Sequence, residues 1–116
     1  MEQFLHNKEF SVQLKVTISG LPKQTADAST QVPLSLGSND YYGNADINIP
    51  GIGSGVVEVD YVIAGQELFD ISVSNLPGQT VGSSDVLIDY INGENPSGPI
   101  NISGIGSGTV LIDPKT

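Results

Sequence analysis

The 116-residue chain carries 13 acidic side chains against four lysines, has no arginine and no cysteine, and bears a formal charge of −9. That balance argues against nucleic acid, whose affinity rests on Lys and Arg neutralising phosphates, and against anionic membrane surfaces. It excludes disulfides and thiolate metal sites, and at this length one domain burying about two thirds of its unfolded surface is expected.

Residues 1–9 open the chain with Met1-Glu2-Gln3-Phe4-Leu5-His6-Asn7-Lys8-Glu9. They lack the apolar core and cleavage site of a signal peptide, leaving the export route unread. They have no counterpart later in the sequence and read as an N-terminal arm whose apolar anchors are Phe4 and Leu5. No apolar run approaches the roughly twenty residues of a spanning helix, so no membrane insertion is expected.

From Phe10 the pattern has period two. Phe10, Val12, Leu14, Val16 and Ile18 share one face and Ser11, Gln13, Lys15, Thr17 and Ser19 the other, the signature of a half-buried strand. Gly20-Leu21-Pro22-Lys23-Gln24-Thr25 ends it, because Pro22 donates no ladder bond and presets a turn. Val32, Leu34 and Leu36 mark a second strand, Ala45 to Ile49 a third, and Val56 to Ile63 a fourth. Ala64-Gly65-Gln66-Glu67 then supplies a short polar turn, suited to a hairpin into the next strand.

The same order recurs. Phe69, Ile71 and Val73 lead to Asn75-Leu76-Pro77-Gly78-Gln79-Thr80; Val86, Ile88 and Tyr90 follow, with Leu87 and Ile91 making this strand apolar on both faces. Gly51-Ile52-Gly53-Ser54-Gly55 is repeated word for word at Gly104-Ile105-Gly106-Ser107-Gly108, after Ile47-Asn48-Ile49 and Ile100-Asn101-Ile102 respectively. A phosphate cradle would need a helix N-terminus after the glycines; strands follow both. The expected role is instead a bend from one sheet to the other, with Ile52 and Ile105 plugging the ends of the core. The fold expected is all-β: an antiparallel β-sandwich or jelly-roll-like barrel of about eight strands, built from two tandem four-stranded repeats (10–63 and 68–113) with pseudo-two-fold symmetry in a single domain, 10–116.

Reactive chemistry is sparse. His6 is the single histidine and lies in the arm, so a Ser-His-Asp triad or a histidine-rich zinc site has no ready source, and no enzyme activity is expected. Glu58 with Asp60, and Asp85 with Asp89, share outward strand faces and read as solvated or edge-blocking charges. No cofactor is required, though calcium is the best small-ligand reading: Asn39, Asp40, Asn44 and Asp46 put oxygens in one loop, as hard cations require. Tyr41-Tyr42, taken as the tip of that loop, would offer an aromatic platform to a glycan. Asn101-Ile102-Ser103 is a formal glycosylation sequon.

The function expected is that of a self-associating structural subunit of a fibre, appendage, surface layer or virion, extracellular or at a surface. Phe4 and Leu5 of the arm, with Leu87 and Ile91, would make the homo-oligomeric contacts. The alternative is a monomeric recognition module binding a glycan, calcium or a partner protein through the loops 37–44 and 92–99, the least similar parts of the two copies.

Overall fold

The computed structural model describes residues 11–36, 40–62, 68–89 and 96–113. Eight strands follow in chain order: β1 (Ser11–Ser19), β2 (Ala28–Leu36), β3 (Asp40–Ile49), β4 (Gly53–Val62), β5 (Leu68–Ser74), β6 (Ser83–Asp89), β7 (Ser97–Ile102) and β8 (Gly106–Asp113). All pairings are antiparallel, in one sheet of order β6-β5-β4-β3-β2-β1-β8-β7. Because β8 returns to β1 over Lys15↔Asp113 to Ser19↔Thr109, the sheet curls until β6 and β7 lie side by side, with no ladder between them among the described residues. The result is a nearly closed, barrel-like sheet.

Strand alternation fills its interior. Leu14, Val16 and Ile18 of β1 are fully buried, as are Ile71 and Val73 of β5. Tyr61 and Phe69 face each other across β4 and β5, their rings stacked 4.3 Å apart. Among sequence neighbours joined by a ladder the shortest is β2 to β3, paired only at Ser35↔Tyr42 and Leu36↔Tyr41. The strands pass so closely at Gly43 that a Cβ there would collide with the Pro33 carbonyl. Past this point Thr30 Oγ1 donates to the Asp46 carbonyl at 2.8 Å.

Two sequence expectations change. The third and fourth strands start earlier than alternation indicated, at Asp40 and Gly53, so the glycines themselves pair in the ladder. Leu36, expected inward, is 53% exposed because it lies at the strand end, beyond the packed interior. Phe10, Ile63 and Tyr90 lie outside the described residues.

The glycine motifs are hairpin turns within the sheet, not bends between sheets. Ile49 pairs Gly53 and Ile102 pairs Gly106. Ile52 N–H donates to the Ile49 carbonyl and Ile105 N–H to the Ile102 carbonyl, each at 2.9 Å. Gly51 and Gly104 take φ of 90° and 89°, where a side chain would be strained. Both hairpins sit at one pole with the Leu21-Pro22 and Leu76-Pro77 turns; the strand ends Leu36, Asp40, Val62, Leu68, Asp89 and Ser97 lie at the other, with Ser11 and Asp113.

At the glycine pole the side chains that close the interior are Leu21 and Leu76, 3% and 4% exposed. A Cβ on Gly108 would stand 2.8 Å from Leu21 Cδ2, and one on Gly55 2.7 Å from Leu76 Cδ2, so each leucine occupies room the glycine vacates. Ile52 and Ile105 are only half-buried and pack against the outside of this closure, which is where the turn geometry leaves them. Leu21→Ala and Leu76→Ala should therefore each destabilise by about 2 to 5 kcal/mol, whereas Ile52→Ala and Ile105→Ala should cost about 1 to 2 kcal/mol for half-buried side chains. Urea unfolding of the four variants checks the ranking.

Candidate functional site

The turns at the glycine pole are held by a glutamine that sequence reading passed over. Gln24 Oε1 accepts from Leu21 N–H at 3.0 Å while its Nε2 donates to the Ile18 carbonyl at 2.7 Å. Gln79 does the same, with Leu76 N–H at 3.1 Å and the Val73 carbonyl at 2.8 Å. Each amide replaces ladder partners that a strand loses as it turns, which fixes the leucine over the opposite hairpin. The next residue ties the turn to the neighbouring hairpin: Thr25 N–H donates to the Pro50 carbonyl and Thr80 N–H to the Ser103 carbonyl, both at 2.9 Å. The signal in the sequence was the identical Leu-Pro-x-Gln-Thr in both copies.

Between these turns lies a cleft of about 250 Å³, walled by Pro22, Pro77, Ile52 and Ile105, floored by glycines, with Lys23 at its rim. Each turn presents a proline ring and each hairpin an isoleucine to it, alongside polar backbone of Gly51, Gly78 and Gly104. The prolines also touch the hairpins: a Cβ on Gly53 would come within 2.6 Å of Pro77 Cγ, and one on Gly106 within 2.5 Å of Pro22 Cγ.

A second, wider depression of about 540 Å³ lies on the outer wall and is lined by carboxylates from three neighbouring strands. Asp40 of β3, Glu58 and Asp60 of β4, and Asp70 of β5 border it, and Asp60 stands directly opposite Asp70 in the ladder. Asp85 and Asp89 lie on the same outward face of β6, with Leu87 between them. One carboxylate oxygen of Asp60 and one of Asp70 are buried without a hydrogen-bond partner. Burial, then the hydrogen bond and charge of Asp40, then the charge of Asp70 push the Asp60 carboxyl up to about 6. Burial first, and then Asp85, push Asp70 up as well. Among the described residues the lysines are elsewhere, Lys15 on the wall of β1 and Lys23 at the glycine pole.

The residues expected to form a calcium loop are not gathered. Asp40, Asn44 and Asp46 lie along the outward face of β3; at about 3.3 Å per residue, roughly 20 Å separates the first from the last, too far for one ion. Asn39 lies outside the described residues. Among the described residues no three His, Cys, Asp or Glu side chains meet in an arrangement that could hold a metal ion. The strand period also separates the tyrosines: Tyr41 points inward and is 6% exposed, while Tyr42 is outward and 51% exposed, so they do not form a shared platform. Leu87 is outward and 65% exposed. Phe4, Leu5 and Ile91 lie outside the described residues, as do 37–39 and 92–95 of the divergent loops.

The raised Asp60 and Asp70 carboxyls favour their neutral forms in the folded chain. For Asp60 that stabilisation is complete below the ordinary value of 3.8 and is lost as pH rises through about 6. The melting temperature should fall between pH values of about 4 and about 7 across that window, and Asp60→Asn should flatten the fall while leaving the milder loss from general charge repulsion. Comparison with protein-family models, with curated proteins and with solved structures yields no match.

Proposed function

We propose that the protein is a non-enzymatic structural subunit that self-associates, a component of a fibre, appendage, surface layer or virion. One observation carries this reading. Leu87 stands 65% exposed on the outward face of β6, one of the two strands, β6 and β7, between which no ladder is seen among the described residues. A large apolar side chain left bare on a strand's outward face is a contact point for another chain, here between Asp85 and Asp89. Phe4 and Leu5 in the arm, and Ile91 beyond β6, add apolar side chains in the parts of the chain that the repeated pattern does not use.

The finer architecture belongs to the same reading. We infer a duplicated four-stranded unit, β1–β4 and β5–β8, related by an approximate two-fold axis. The support is a one-to-one match of contacts: Gln24 with Gln79, Thr25 with Thr80, Leu21 on Gly108 with Leu76 on Gly55, and Pro22 on Gly106 with Pro77 on Gly53. In this description β2 to β3 and β6 to β7 are equivalent corners, one barely laced and the other without a ladder among the described residues.

The recognition reading keeps one supporting observation. The strand ends flanking 37–39 and 90–95 share a pole, so the divergent segments leave the body on the same side, where a scaffold would present loops to a glycan or a protein.

Sizing by light scattering at rising concentration tests the assignment. The full-length chain should form oligomers, and both removal of residues 1–9 and Leu87→Glu should shift it toward monomer. A chain that stays monomeric at millimolar concentration, unaffected by either change, would hand the assignment to the recognition reading.

A further inference from the structure

We propose that the cleft at the glycine pole is the receptor for the N-terminal arm of a second copy, with Phe4 and Leu5 seated between the two proline-bearing turns. This rests on the self-association reading and names the site it uses.

Reach is the first argument. The described chain begins at Ser11, at the pole opposite the cleft, and β1 runs from there to Ser19, three residues before Pro22. Phe4 is seven residues upstream of Ser11, so even fully extended it lies at most about 25 Å away. The eight steps of β1 already cover about 26 Å, and the cleft lies beyond them, over the rim. The arm therefore stops short of the cleft of its own subunit. The cleft of a copy stacked on the opposite pole is within its range.

Chemistry is the second. About 250 Å³ walled by two prolines and two isoleucines is smaller than the roughly 300 to 1,000 Å³ typical of cofactor pockets and suits one or two large apolar side chains. Proline rings and a glycine floor also present a surface with little conformational freedom left to lose on binding. Ile52 and Ile105, half-buried in the isolated subunit, would complete their burial there.

Charge is the third. Copies of formal charge −9 repel one another, and the outward acids of β3 to β5 make side-by-side contact through that wall unfavourable. Of the two lysines among the described residues, one is Lys23, at the cleft rim. The arm carries Glu2, Lys8 and Glu9 around Phe4 and Leu5, so its charges nearly cancel and the pole spares it the repulsion that the wall offers. An arm at one pole and its receptor at the other make a head-to-tail contact, which propagates as a filament or closes as a ring.

The chain has no cysteine, which permits a clean cross-linking test in the full-length protein. Gln3→Cys combined with Lys23→Cys keeps both apolar anchors and places one thiol beside them and one at the rim. Mild oxidation should give a ladder of covalent multimers on a non-reducing gel. Adding Phe4→Ser and Leu5→Ser should abolish the ladder, and Lys15→Cys in place of Lys23→Cys, on the wall of β1, should give none. A cross-linked monomer, or a ladder from Lys15→Cys as strong as that from Lys23→Cys, overturns the cleft as receptor. Oligomers by light scattering with no cross-link at Lys23→Cys overturn this inference alone and leave self-association standing; a monomer by both methods overturns both.

Discussion

The structure depends on the space left by four absent Cβ atoms. Gly55 and Gly108 make room for Leu76 and Leu21; Gly53 and Gly106, at φ of 135° and 133°, let Pro77 and Pro22 lie against the hairpins. Each of these contacts joins a turn from one half of the chain to a hairpin from the other. A methyl group at any of the four positions would meet carbon at 2.5 to 2.8 Å, which close-packed interiors do not tolerate. The glycine motif is thus a socket for a neighbouring turn, and its repetition follows from there being two turns to receive.

That interlock gives the two poles different construction. The glycine pole is held by amide clamps and reciprocal sockets, so its cleft has a fixed shape. The opposite pole collects both ends of the described chain and the strand ends that flank 37–39 and 90–95. The wall of β3 to β6 carries most of the outward carboxylates, and crowding there raises Asp60 and Asp70 rather than pairing them with cations. Acids held in partly buried positions without lysine partners cost stability near neutral pH.

Much of the architecture was legible because strand alternation is local. Leu14, Val16 and Ile18, or Ile71 and Val73, announce their face within a few residues. Three features were not legible. The start of β3 at Asp40 was hidden because Asp, Asn and Gly are turn formers, and tertiary pairing with β4 overrode that preference. That error turned Tyr41 and Tyr42 into loop neighbours, although one strand step places them on opposite faces. The facing of Asp60 and Asp70 needs the long-range register of β4 on β5, which no local pattern encodes. The closure of the pole by Leu21 and Leu76 was assigned instead to Ile52 and Ile105, because an isoleucine between glycines looks like a plug when the partner turn is unknown. The repeated glutamine of Leu-Pro-x-Gln-Thr carried the missing information.

The most direct test of the interlock is calorimetric unfolding of Gly53→Ala and Gly106→Ala. If each half's turn is socketed in the other half's hairpin, either substitution lowers one shared transition, and by similar amounts, because both loosen a common interior. A thermogram that splits into two transitions, with only the substituted half shifted, would show that the halves fold separately and would contradict the account.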